Sequence, residues 1–519
     1  MLRRTLSYLL IFFLLAGMIS TPTASASSNA ILGKSGTSEN LYTTSDATVK
    51  KVATQVALHA DGSGYKSLSF LTDGNIMYYY TSKGDCSINL KSDTKFCSLY
   101  ILFDFEPEPY TITDSLTGDS ITAGHNSFLH EYVALPFSAT EVTITFSSEV
   151  SLSEISAYTS GTPEGIQIWE SPLDGETDLL LLATHGDDDH LFFAGLLPLY
   201  AGELGYNVQV AYWTSHRPHT TKRTHEMLNG LWDVGVTNYP IFGPFDDFRQ
   251  DTLATTYWVY NYRGITNEEL LSYVVTLVRR FDPQVVVCHD INGEYGHGMH
   301  MLYTDLMIKA LDITAEPSAY PEIAAEYGVW DVPKTYIHLY EENPIVIDYD
   351  QPLDFFNGMT AFEVSQKIGF PRHVSQQKER MFTNWLYGYH NEITKATQIK
   401  QYSPCQFGLY RSTVGKDKSK DDFMENITSY EQQRVIKEAQ LQAEAERLEK
   451  ERLEAEQQEA ARQEAEHQAK LEAELAQEES IRTAEESAMR QQTFAIIVII
   501  TLILSACGIL LSILIKKRK

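Results

Sequence analysis

Leu179-Leu180-Leu181-Leu182-Ala183-Thr184-His185-Gly186-Asp187-Asp188-Asp189-His190 decides the fold of the middle of this chain. The uninterrupted apolar run reads as a strand buried on both faces, as in a parallel sheet covered by helices. It stops at a glycine set among two histidines and three carboxylates. In open parallel sheets, ligands bind beyond the carboxyl ends of the strands. Carboxylates crowded there repel one another and need a counter-charge, which a divalent metal provides.

Outward from this stretch, strand and helix alternate. Asn207–Trp213 reads as a second strand and Gln284–Cys288 as a further buried one. Phe192–Leu204, Arg223–Val234 and Glu268–Phe281 read as helices. The alternation predicts a Rossmann-like α/β domain with a parallel sheet over residues 176–425. The strand at 284–288 runs into His289-Asp290-Ile291-Asn292-Gly293-Glu294-Tyr295-Gly296-His297-Gly298-Met299-His300. Its glycines let a loop approach a site closely. His297 and His300, three apart at the start of the next helix, share a face. One histidine plus one carboxylate from the first loop is half of a catalytic zinc site, which takes three protein ligands and keeps a position for water. The second loop can supply the rest.

These two motifs resemble those of the PIG-L/LmbE-like deacetylases, over about residues 178–410. That family carries His-Pro-Asp-Asp-Glu after its first strand and a His-Pro-Asp-His-type motif later. This chain has His185-Gly186-Asp187-Asp188-Asp189 and His297-Gly298-Met299-His300, and Asp290–His300 is especially similar to the mycothiol branch. The resemblance implies that His185, Asp188 and His300 bind Zn2+. It implies that Asp187 is the general base, that His297 stabilises the oxyanion or protonates the leaving amine, and that Tyr295 helps polarise the carbonyl. Arg223, with Glu226 beside it, matches the arginine that contacts sugar hydroxyls. Three departures stand out. Gly186 for Pro loosens the turn, Asp189 for Glu shortens a carboxylate behind the ligands, and Met299 for Asp removes a polar partner. His373-Val374-Ser375-Gln376 resembles a late His-x-x-Gln element and is placed near the active site without a role.

Residues 28–172 alternate short β-prone runs with turn signals, which predicts an antiparallel β-sandwich. Val150–Trp169 resembles the closing strands of galactose-binding-like (discoidin-type) jelly rolls. A carbohydrate-binding module and a packing or spacer domain are both open readings. His216, Arg217, His219, Lys222, Arg223 and His225 either line a sugar or anion site or form a polar loop.

The two ends read as export and anchorage. Residues 1–26 have the basic start, apolar run and small-residue end of a signal peptide. Residues 430–492 are a charged helical stalk or coiled coil, which could self-associate; within them, 431–490 hold 17 Glu against 9 Lys and Arg and no Gly or Pro. Phe494–Ile515 carries 22 uncharged residues, roughly 33 Å of helix, enough for a transmembrane span. The basic tail 516–519 stays on the cytoplasmic side. The net charge of −28 argues against nucleic acid as a partner. Cys86 and Cys97 could close a hairpin by a disulfide in an oxidising compartment.

The whole predicts a multidomain, membrane-anchored extracytoplasmic zinc hydrolase acting on N-acetylglucosamine-type residues of a glycan. The alternatives are a silent sugar-binding surface protein and a stalked adhesion or scaffold protein.

Overall fold

The structure is a computed structural model, which describes residues 51–52, 55–59, 67–159, 163, 165–214, 221–376 and 393–518. The predicted signal peptide and His216, Arg217 and His219 lie outside the described residues. The chain forms two compact units, Met1–Gln433 and Arg434–Lys519.

The first part of the larger unit is all antiparallel. Its strands are β1 (Lys51–Val52), β2 (Gln55–His59), β3 (Tyr80–Thr81), β4 (Cys86–Phe103), β5 (Tyr110–Asp114), β6 (Ser120–Ala123), β7 (His130–Phe146) and β8 (Ser151–Tyr158). They pair in the order β1-β8-β4-β7-β5-β6, with β2 on β4 and β3 on β8. Register shifts between Lys91 and Ser98 break β4 into two halves that share one core, Ile88 and Leu90 with Leu99, Ile101 and Phe103. This placement overturns the hairpin disulfide. Cys86 and Cys97 lie on the same strand, separated by most of its length, and both are free thiols.

The second part is the predicted α/β domain. Its sheet runs β10 (Val208–Tyr212), β9 (Leu179–Ala183), β11 (Val285–Cys288), β12 (Lys334–His338), β14 (Gln406–Ser412), β13 (Pro344–Val346). The first four strands are parallel and the last two add antiparallel pairs. Every residue of β9, β10 and β11 is buried, as the apolar runs demand. Helices α1 (Asp188–Leu191), α2 (Thr221–Asp233), α3 (Leu253–Tyr262), α4 (Asn267–Phe281), α5 (Gly298–Leu311), α6 (Pro321–Tyr327) and α7 (Ala361–Val364) accompany them. A capping box between Thr266 and Glu269 starts α4, and Asp282 in the left-handed region ends it before Pro283. The single helix predicted over Phe192–Leu204 is corrected. Gly195 at φ +95° breaks it, and the helical turns resume at residue 196 and widen into a π-helix over Pro198–Glu203.

One core cluster runs through both parts, so Phe128 and Leu129 of the sandwich share it with Tyr239 and Val236 of the α/β domain.

Helix α8 spans Tyr430–Lys516 without interruption, its leucines exposed. Pairs such as Arg447–Glu451, Arg452–Glu456 and Arg462–Glu466 run along it at one-turn spacing. Its C-terminal part is long and apolar enough to cross a membrane.

Candidate metal centre

Strand β9 has β10 on one side and β11 on the other. The chain reverses its progress across the sheet here, which opens a crevice at the carboxyl ends of β9 and β11. Both predicted loops leave from that crevice.

They bring the three predicted ligands together. His185 Nδ1 lies 3.1 Å from Asp188 Oδ2 and 3.2 Å from His300 Nε2. His300 Nε2 lies 3.5 Å from Asp188 Oδ2. A tetrahedral zinc ion with bonds of about 2.0–2.1 Å spaces its ligand atoms by about 3.3 Å. The triangle therefore fits such an ion, with donors of the type zinc takes. All three side chains are buried.

Outer hydrogen bonds fix which nitrogen faces the triangle. The Nδ1–H of His300 donates to Glu294 Oε2 at 2.6 Å, which leaves the Nε2 lone pair free. His185 Nε2 faces Asp247 Oδ1 at 3.5 Å, which leaves its Nδ1 inward. The backbone N–H of His185 donates to Asp188 Oδ2 at 2.6 Å. His289 also stands close, its Nε2 at 3.4 Å from Asp188 Oδ2. That Nε2 accepts the Thr184 N–H at 3.0 Å, and its Nδ1 donates to Glu294 at 2.8 Å. Both His289 nitrogens are thus engaged, and with Asp188 and His300 it forms a second group of donor atoms close enough together to hold a metal.

Glu294 is the hub of this arrangement. It is fully buried and also meets His338 Nδ1 at 2.6 Å through Oε1. Burial disfavours its charge, but His289 and His300 more than restore it and hold the carboxyl well below its usual range. The sequence reading passed over Glu294, His289, His338 and Asp247. Glu294 and His289 lie inside the quoted loop, ahead of its predicted residues. His338 ends a strand, β12, whose run Lys334–His338 mixes charge and ring and shows no apolar pattern.

The predicted catalytic residues border the triangle. Asp187 is buried, and the Arg223 guanidinium donates to its Oδ1 at 2.9 Å. Burial raises the Asp187 carboxyl, Arg223 pulls it back and Asp188 adds to the rise; the net shift is upward. His297 caps α5, its Nδ1 accepting the Met299 N–H at 3.3 Å. The proton therefore sits on Nε2. Burial, with His185 and His300 nearby, pushes His297 down to about 3, so the ring stays neutral. The Tyr295 ring stands 5.3 Å from that of His297. Tyr295 takes φ +49° between Gly293 and Gly296, both also at positive φ. A non-glycine residue held there costs about 1–2 kcal/mol, a type of strain found at functional sites.

The three departures have distinct surroundings. At Gly186 a side chain would meet the end of the flexible Met227 side chain of α2, so the loop and the helix approach closely there. Met299 packs in the helix-side core, its sulfur accepting the Phe248 N–H at 3.1 Å. Asp189 is turned from the triangle and accepts the Tyr212 hydroxyl at 2.9 Å. It forms a second buried group with His190 and His373, whose rings are 5.3 Å apart. The donor atoms of this group spread wider than a tetrahedral ion sets them, with 3.8 Å between His190 Nε2 and Asp189 Oδ2. Glu226 binds Ser375 through its backbone N–H and hydroxyl, which fastens the His373 segment to α2.

Fold and site thus define a Rossmann-like α/β domain with a buried cluster of histidines and an aspartate at its sheet crevice that could hold a metal ion. Residues 180–311 match the PIG-L family model, described as GlcNAc-PI de-N-acetylase, and this segment is a PIG-L domain. The chain is 26% identical over 208 residues to 1D-myo-inositol 2-acetamido-2-deoxy-alpha-D-glucopyranoside deacetylase 1 of Catenulispora acidiphila, covering 35% of this chain and 61% of that one. It is 30% identical over 117 residues to the corresponding deacetylase of Geodermatophilus obscurus, covering 22% and 39%. The chain thus spans less than two thirds of these relatives' length. Among solved structures, it is similar to the N,N'-diacetylchitobiose deacetylase of Pyrococcus horikoshii, at 14% identity and TM-score 0.28, over 39% of this chain and 74% of that one. A Clostridium perfringens structure, CpGH89CBM32-4 with GlcNAc-alpha-1,4-galactose, is similar at 13% identity and TM-score 0.19, over 22% and 97%.

Proposed function

We propose that this protein is a zinc-dependent N-deacetylase that removes acetyl groups from N-acetylglucosamine-type residues of a glycan. One observation carries this reading: the His185–Asp188–His300 triangle has the spacing of a tetrahedral zinc site, with a buried carboxylate, Asp187, next to it. The match of residues 180–311 to the PIG-L model supports the substrate class.

His185, Asp188 and His300 hold the metal. When bound, zinc lowers the pKa of a coordinated water and polarises the amide oxygen. Asp187, with its carboxyl raised by burial, accepts a proton from the attacking water as general base. Arg223 fixes the orientation of Asp187 through the 2.9 Å bond and stands where it can also meet a sugar hydroxyl. The neutral His297 presents its Nε2–H to the oxyanion that forms on the former carbonyl, and Tyr295 supports the same side. The amine leaves after taking up the proton that Asp187 has collected. The products are acetate and a free amino sugar.

The protein is exported by its N-terminal segment and held by Phe494–Ile515, with the domains outside the cytoplasm and α8 as stalk. On this reading the substrate is a surface or wall glycan. The test is acetate release by the zinc-loaded full chain from peptidoglycan fragments, chitin oligomers and poly-N-acetylglucosamine. Zinc-loaded protein that releases acetate from none of them sinks the reading. Membrane anchorage is checked separately, by fractionating cells that express the chain with and without residues 494–515.

A further inference from the structure

Helix α2 carries two stripes of side chains at one-turn spacing. Arg223, Met227 and Gly230 form the first. Arg223 bonds Asp187, Met227 occupies the space beside Gly186, and the bare Cα of Gly230 lies against the rings of His190 and His373. This stripe is the wall on which the first metal loop rests.

His225, Asn229 and Trp232 form the second stripe, and it meets the β-sandwich and the linker that follows it. His130 begins β7, and its Nε2 lies 2.7 Å from His225 Nδ1. Gln167 Nε2 donates to Asn229 Oδ1 at 2.6 Å. The edge of Trp169 meets Trp232 at 5.4 Å between centroids.

Donor and acceptor roles along this junction are fixed. Gln167 Oε1 accepts the Trp169 indole N–H at 3.0 Å and the His130 Nδ1–H at 2.7 Å. With Nδ1 protonated, His130 Nε2 accepts from His225 Nδ1–H. The two rings meet edge to edge through this bond, 4.9 Å apart between centroids and tilted by 26°, and both residues are buried. The bond therefore ties the first residue of a sandwich strand to the helix that holds the catalytic loop. Continuation of one apolar core across the same boundary adds to it.

We propose that His130 is a positioning residue for the deacetylase site: its bond to His225 sets α2, and so sets Arg223 against Asp187. The β-sandwich is thereby part of the catalytic fold and not a detachable module. The proposal rests on the assignment of Asp187 as general base. A misplacement of about 1 Å at a catalytic group is enough to lower a rate on the order of a hundredfold, and α2 transmits a shift at residue 225 to residue 223 within one turn.

The experiment uses the full chain with His130→Ala and His130→Gln. Glutamine places an amide oxygen where Nε2 stood and can again accept from His225. Measured are kcat and KM for acetate release, zinc content, Tm, and amide hydrogen exchange of residues 185–190 and 221–233. Expected in His130→Ala are a kcat lower by roughly ten- to a hundredfold, KM within about twofold, zinc retained, and faster exchange in both segments. His130→Gln is expected to restore most of kcat and the protection. A structural role alone would lower Tm and leave the kcat of the folded protein unchanged. An unchanged kcat and exchange in His130→Ala overturns the proposal. If the unaltered chain releases no acetate, the catalytic reading fails by itself, and the exchange comparison still decides the coupling. If His130→Ala does not fold, Asn229→Ala cuts a second tie of the same stripe and is held to the same outcomes.

Discussion

The Glu294 carboxylate accepts the Nδ1–H of His300 at 2.6 Å, and this bond decides that His300 turns its Nε2 to the metal triangle. Carboxylates behind a histidine ligand fix its tautomer and raise its basicity, and their loss costs about 10–100-fold in metal affinity. Glu294→Gln is therefore expected to weaken zinc binding by that factor, read by competition with a chelator of known affinity. Unchanged affinity would show that the triangle holds the metal without Glu294.

Asp187 is buried beside the triangle but outside it. Asp187→Asn keeps the shape and removes the proton acceptor. Its kcat should fall by about 10²–10⁴ with zinc stoichiometry intact, because general base catalysis is worth that much. Steady-state acetate release and elemental analysis on the same sample check both halves. Loss of the metal in this variant would move Asp187 into the ligand set.

His297 and His300 are three residues apart but have different tasks. His300→Ala removes a ligand and should abolish zinc retention on gel filtration. His297→Ala removes the Nε2–H aimed at the oxyanion and should lower kcat by about 10²–10³ with the metal still bound. Equal zinc loss in both variants would contradict the division.

Acid should destabilise the fold through buried neutral imidazoles. Burial holds His130 well below its ordinary value and His190 down to about 3. In the unfolded chain both titrate near 6.5. Below about pH 6.5 the unfolded state therefore takes up protons that the folded state does not. The contribution of these two groups falls as pH drops through this range, by up to about 1.4 kcal/mol per pH unit for each group, and is flat above it. Urea midpoints of the chelator-treated protein between pH 7.5 and 5 measure the slope. His130→Gln removes one titrating group and should flatten it.

The sequence by itself determined the parallel strands and the site's two loops. Apolar runs such as Leu179–Ala183 and Val285–Cys288 are local statements of burial, and the loops that follow them must end at one edge of the sheet. The proposal of His185, Asp188 and His300 as ligands came from the resemblance of the two loop motifs to the PIG-L/LmbE-like deacetylases, and not from the apolar runs. Only the tertiary structure decided what stands behind them. Glu294 joins His289 and His300 of its own loop to His338, 44 residues on, and Asp247 reaches His185 from another loop. The two stripes of α2 show their targets only when β7 and the metal loop are packed on either side. Hydrogen bonds between distant segments leave no periodic trace in a sequence, because each partner satisfies its own local pattern first and meets the other only when the core closes.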